Sequence, residues 1–104
     1  MIIIRNSILP PRRFEALNLF GVLFCRKHAE LTEALIRHER IHTAQMVELL
    51  FVGFYLWYAV EWLVRRCQGR NAYGRMSFER EAYTHMHEPN YLKHRRQYAW
   101  MKYL

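Results

Sequence analysis

The sequence predicts an α+β fold, an N-terminal β-hairpin followed by three to four helices. Three observations carry this. Two short apolar runs rich in strand formers come first, Ile2 to Leu9 and Leu17 to Phe24. A 3.6-residue periodicity then begins near Leu31 and continues to about Leu50. Beyond it, Gly, Asn and Pro divide the chain into helix-sized pieces. With 104 residues, the whole chain 1–104 reads as one domain.

The first run stops at Pro10-Pro11, a rigid turn. The second ends at Arg26-Lys27 and contains Gly21, a site for a bulge or a close backbone approach. The two runs are expected to pair antiparallel. Thr32 is placed to cap the first helix, with Glu33 in the first turn where the helix dipole favours an anion. Leu31, Leu35, His38, His42, Gln45 and Leu49 fall on one face of that helix.

The segment Met46–Val64 is apolar apart from Glu48 and Glu61, and Arg65-Arg66 follow it. Its main reading is a helix buried at the centre of the protein. The other is a helix in a membrane or on its surface, through Leu49 to Val64. Ser77 is expected to cap a helix from Phe78 to about Glu88, which Pro89-Asn90 ends. A basic, aromatic helix is expected from Tyr91 to about Tyr103.

Composition narrows the chemistry. All nine acids are Glu, so Ser-His-Asp triads and Asp-rich Mg²⁺ or Ca²⁺ sites are excluded. The net charge of +7 concentrates in the second half, from Arg65 to Lys102. No nucleic-acid motif accompanies it, so the expectation is no nucleic-acid partner. Cys25 and Cys67 form neither a disulfide framework nor a CxxC pair, and read as reduced, mostly buried residues of an intracellular protein. The start, Met1-Ile2-Ile3-Ile4-Arg5-Asn6, lacks the charged n-region of a secretory signal. The expected location is the cytoplasm, with membrane association if the apolar helix meets a bilayer.

His38-Glu39-Arg40-Ile41-His42 is an HExxH motif within the first helix. Positions i and i+4 lie one above the other, so both imidazoles can reach one zinc ion. Glu39, at the rim of that face, is placed to take a proton from a water. A catalytic zinc site uses three protein ligands. Gln45 and Glu48 stand where the HExxHxxGxxH extension needs Gly and His, so the third ligand is distal. The best source is the helix opening Phe78-Glu79-Arg80-Glu81-Ala82-Tyr83. Glu79 shares a face with Ala82, whose small side chain permits close helix approach, and is preferred to Glu81.

A strand, an HExxH helix and a later helix opening with a ligand Glu resemble the gluzincin metallopeptidases. The length resembles the single-domain minigluzincins. Phe78 to Tyr83 looks like the family's Glu-x-x-Ala-Asp glutamate helix, with Glu79 and Ala82 matching. Ala16 to Gly21 and Tyr98 to Tyr103 also resemble small bacterial HExxH proteins. The resemblance implies a zincin-like fold with an active-site helix and a glutamate helix. It also implies an extended substrate peptide on a strand edge, which Leu19, Phe20, Gly21 and Val22 would supply. An oxyanion donor is implied among Tyr83, His85, His87 and Tyr91. The family's Asp that orients a zinc-bound His is replaced by Tyr83. The acceptor must then be a Glu, Asn or Gln side chain, a backbone carbonyl or the Tyr83 hydroxyl.

The function expected from these residues is zinc-dependent hydrolysis of peptide bonds in peptides or unfolded proteins, with Glu39 as general base. The alternative is a non-catalytic, zinc-stabilised module that binds a peptide or a membrane surface.

Overall fold

The computed structural model describes residues 2–6, 16–69 and 71–104. The chain is α+β. A three-stranded sheet, β1 (Ile2–Asn6), β2 (Ala16–Leu19) and β3 (Val22–Arg26), precedes the helices α1 (Glu33–Glu48), α2 (Val52–Gln68), α3 (Ala72–Arg75), α4 (Ser77–His85) and α5 (Tyr91–His94). A 3₁₀ helix, Ala99–Tyr103, follows.

The sheet order is β1-β3-β2. The hairpin is β2 with β3, not one apolar run with the other, and β1 joins β3 in parallel. The reason lies inside the second run. Phe20 and Gly21 both have positive φ, 52° and 87°. A two-residue turn of that hand matches strand twist and folds the run on itself. Phe20 accepts the strained conformation because its N–H donates to the Tyr55 hydroxyl at 3.1 Å and its ring packs on Tyr55. Gly21 is required twice, by its φ and because a Cβ there would lie 3.3 Å from Thr43 Cγ2. The expected stop at Pro10-Pro11 falls outside the described residues.

Thr32 caps α1 as expected, its hydroxyl accepting from the Leu35 N–H at 3.1 Å. Between α1 and α2 the chain turns through 107°. Leu50 and Phe51 have φ of 56° and 59° without being glycine, a cost of roughly 1–2 kcal/mol each. Packing of Leu49 and Phe51 on the core offsets it. That core comprises Met46, Phe54, Met76, Phe78 and Trp100.

Two expectations for α2 are corrected. Met46–Val64 is not one helix, because the corner interrupts it. Nor is α2 a buried central helix, since only Phe54 and Glu61 along it are buried. No described helix is long and apolar enough to cross a membrane alone. The bent α1–α2 pair passes together, by length and composition only.

Glu61 explains the start of α4. Its carboxylate accepts from both the Ser77 N–H and the Ser77 hydroxyl, each at 2.6 Å. Ser77 is therefore the first helical residue rather than the cap, and an acid from α2 satisfies the helix end. The expected single C-terminal helix is broken. Arg95 turns inward to Glu48 and Glu81, and the Tyr98 N–H donates to the Glu48 carboxylate. Both cysteines are free; Cys25 is buried, but Cys67 is exposed on α2.

Candidate metal centre

The periodicity of α1 turns His38, Ile41, His42, Gln45 and Met46 into the protein. The two imidazoles meet edge to face, with centroids 4.8 Å apart. The first turn of α4 crosses in front of them. Ala82 is fully buried, and the absence of a larger side chain there permits the close approach. Glu79 reaches the histidines.

His42 Nε2 lies 3.1 Å from His38 Nε2 and 3.1 Å from Glu79 Oε1. His38 Nε2 lies 3.3 Å from the same oxygen. A tetrahedral ion with bonds near 2.0–2.1 Å separates its donors by roughly 3.4 Å. The three atoms are thus close to the face of such a tetrahedron, and His38, His42 and Glu79 could hold a metal ion.

Hydrogen bonding behind His42 fixes its tautomer. The Gln45 amide nitrogen donates to the Phe78 carbonyl at 3.1 Å and to Glu81 Oε1 at 2.9 Å. Its oxygen therefore faces His42 Nδ1, 2.8 Å away, which must carry a proton. In the neutral ring, Nε2 then presents a lone pair to a carboxylate oxygen. Such an arrangement demands a cation, either a proton or a metal. Burial pushes the His42 pKa down, but the hydrogen bond and charge of Glu79 outweigh it and raise it to about 9. Burial likewise pushes Glu79 up, and the two histidines bring it well below the usual carboxylate range.

Gln45 belongs to a longer buried chain. Glu81 accepts from Gln45, from the Tyr91 hydroxyl at 2.6 Å and from Arg95 Nε at 2.6 Å. Arg95 continues to Glu48 through two hydrogen bonds of 2.9 and 3.1 Å. Glu81 is thus outside the candidate metal-binding group and two links behind it. On the other side, Glu79 Oε2 accepts from the Tyr58 hydroxyl at 3.2 Å. Buried His38 Nδ1 has no hydrogen-bond partner among the described residues.

A cavity of about 340 Å³ opens beside the three residues, lined by Glu39, Tyr58, Tyr73 and Asn18 among others. Asn18 ties the sheet to the HExxH helix. Its amide donates to the Glu39 carbonyl at 3.0 Å and to the Thr43 hydroxyl at 3.1 Å. The expected substrate strand divides differently. Leu19 ends β2, Phe20 and Gly21 form the turn, and Val22 opens β3. Because β3 is paired on both sides, the free edges among the described strands are those of β1 and β2, and of these two strands β2 is the one that lines the cavity. Its residues Ala16, Leu17 and Asn18 line the cavity.

Of the expected oxyanion donors, Tyr83 packs its ring on His38 at 4.5 Å, with its hydroxyl 3.3 Å from that of Tyr73. His85 is six residues beyond Glu79, about 9 Å along the axis. It stacks on Tyr91 and pairs with Glu88 and the Tyr103 hydroxyl. His87 is exposed past the end of α4, and Tyr91 is engaged by Glu81. Tyr58 and Tyr73 escaped sequence reasoning because both sit among residues that read as core or loop. No family model, curated protein or solved structure matches this chain.

Proposed function

We propose that the protein is a zinc-dependent peptidase whose metal ligands are His38, His42 and Glu79. The observation that supports this reading most is the convergence of three buried donor atoms within 3.3 Å beside a cavity that Glu39 lines. Zinc held there would polarise a scissile carbonyl and make water a nucleophile at neutral pH.

The chain's own groups supply the rest. Glu39 takes the proton of the attacking water and passes it to the leaving amine. Its backbone is held by Asn18 and Thr43, so the carboxylate is presented from a fixed turn of α1. Tyr58 orients Glu79. The free edge of β2 offers main-chain groups to an extended peptide, which gives binding with little dependence on sequence. Tyr73, which lines the cavity, and Tyr83, which packs on His38 with its hydroxyl 3.3 Å from that of Tyr73, are the phenols we assign to donate to a developing oxyanion.

The test is cleavage of an unfolded protein and a broad peptide library by zinc-loaded wild type and by Glu39→Gln. Cleavage by the wild type and its loss in the variant, with zinc retained in both, is the expected result. Zinc binding without turnover in the wild type would replace the peptidase with a zinc-stabilised binding module.

A further inference from the structure

We propose that the outer face of α2 docks on an anionic lipid surface. Residues 52, 56, 59, 60, 63 and 67 leave one side of this helix at 3.6 residues per turn. They are Val52, Leu56, Ala59, Val60, Leu63 and Cys67, all exposed. Val52 is 64 % exposed, Leu56 66 %, Val60 62 % and Leu63 58 %. The stripe continues around the corner into Leu50, 82 % exposed, and Val47. A contiguous exposed stripe of this kind marks an interaction surface.

Three features select lipid over a protein partner. The stripe has no charged, amide or hydroxyl side chain. A specific protein interface carries about one hydrogen bond per 100–200 Å², and this surface has almost nothing to make one with. Trp57 and Trp62 emerge about 110° to either side of it, and both are exposed. In a helix lying flat on a bilayer those flanks are at the headgroup level, where indoles partition. The charge also fits. Exposed Arg66 borders the stripe at its C-terminal end. Exposed Arg75 places a guanidinium nitrogen 3.2 Å from where a Cβ on Gly69 would be, beside the same helix end. The acid of α2, Glu61, faces inward to Ser77. Glu79 and Glu81 are also buried, so the exterior is more basic than the composition implies. Such a basic end complements anionic headgroups.

The opposite face of α2 lines the cavity through Phe54, Tyr55 and Tyr58. Docking brings the cavity within about one helix diameter, roughly 10–12 Å, of the lipid. On the peptidase reading, this favours substrates held at a membrane.

The experiment is sedimentation of the full chain with phosphatidylcholine–phosphatidylglycerol vesicles and with phosphatidylcholine vesicles alone. Binding to the anionic vesicles is expected. Leu56→Glu combined with Leu63→Glu should weaken it at least ~tenfold, and Arg66→Ser by roughly fivefold. These positions are exposed, so melting temperature and metal content should be unchanged. Quenching of wild-type tryptophan fluorescence by brominated lipid gives a second readout that needs no variant. No binding to either vesicle, or no quenching, would overturn the proposal. Binding that ignores lipid charge would overturn its anionic part. A dimer that the double substitution abolishes, without vesicle binding, would assign the face to a second copy instead. None of these readouts depends on hydrolysis, so the peptidase reading stands or falls separately.

Discussion

His38 and His42, the two histidines of the candidate metal centre, are four residues apart on one helix, yet what lies behind their rings differs sharply. Behind His42 runs a sealed polar chain through Gln45, Glu81, Arg95 and Glu48. His38 has an unpartnered Nδ1 and the ring of half-exposed Tyr83 against it. One side holds the His42 ring in a single tautomer and ties three elements together. Both rings line the cavity, but the His38 side has no such network behind it. Orientation and stability are concentrated behind His42, while Glu39 and the tyrosines are on the open side. A site can divide those duties because a fully satisfied buried network is rigid, whereas a reacting face must stay accessible.

The comparison breaks most visibly at the open side. Glu39→Gln should lower peptide cleavage by about 10²–10⁴ while zinc content, measured by mass spectrometry, is unchanged. Equal activity would show that the open side does not carry the general base.

Substitutions at the sealed side should act on metal affinity and stability together. Gln45→Ala should weaken zinc binding by about 10–100-fold in a chelator competition. Glu81→Gln should also lower unfolding free energy by about 3 kcal/mol, because Arg95 loses a buried partner. Its effect on zinc should stay well below that of Glu79→Gln, which removes a ligand charge. A larger zinc effect at Glu81 would reverse the assignment of the two carboxylates.

Proton competition sharpens the same contrast. His42 holds its proton up to about 9, above the ordinary 6.5. In metal-free protein that bond stabilises the fold fully below 6.5 and is lost as pH rises through 9. Zinc must displace the proton, so affinity should rise about tenfold per pH unit up to about 9. Thermal melts should show the chelated protein losing stability over this window and the zinc-loaded protein keeping it. Parallel curves would remove the proton from His42. The smallest effect is expected for Tyr58→Phe, which deletes one hydrogen bond to Glu79. Zinc affinity should fall by roughly tenfold, less than for Gln45→Ala if the sealed side dominates.

Much of this was legible in the sequence. The i, i+4 spacing of His38 and His42 is a local property of one helix, and Ala82 marked the face from which Glu79 approaches. The Thr32 cap was legible for the same reason. What failed was non-local. Nothing in Leu17 to Phe24 announces that Phe20 would adopt a positive φ, since Tyr55, 35 residues away, supports it. The corner at Leu50-Phe51 lacks glycine and is held by core packing. Gln45 stood on the right face, but its role depends on Phe78 and Glu81 arriving from another helix. Arg95 read as part of a basic surface helix, and its partners lie 14 and 47 residues earlier.

The most direct test of the central claim is the metal stoichiometry of the intact chain by native mass spectrometry. Wild type and the His38→Ala/His42→Ala double variant would each be equilibrated with zinc and desalted. One zinc per wild-type chain and none on the variant is the expected result. A wild type that emerges metal-free, or a variant that keeps its zinc, would contradict it.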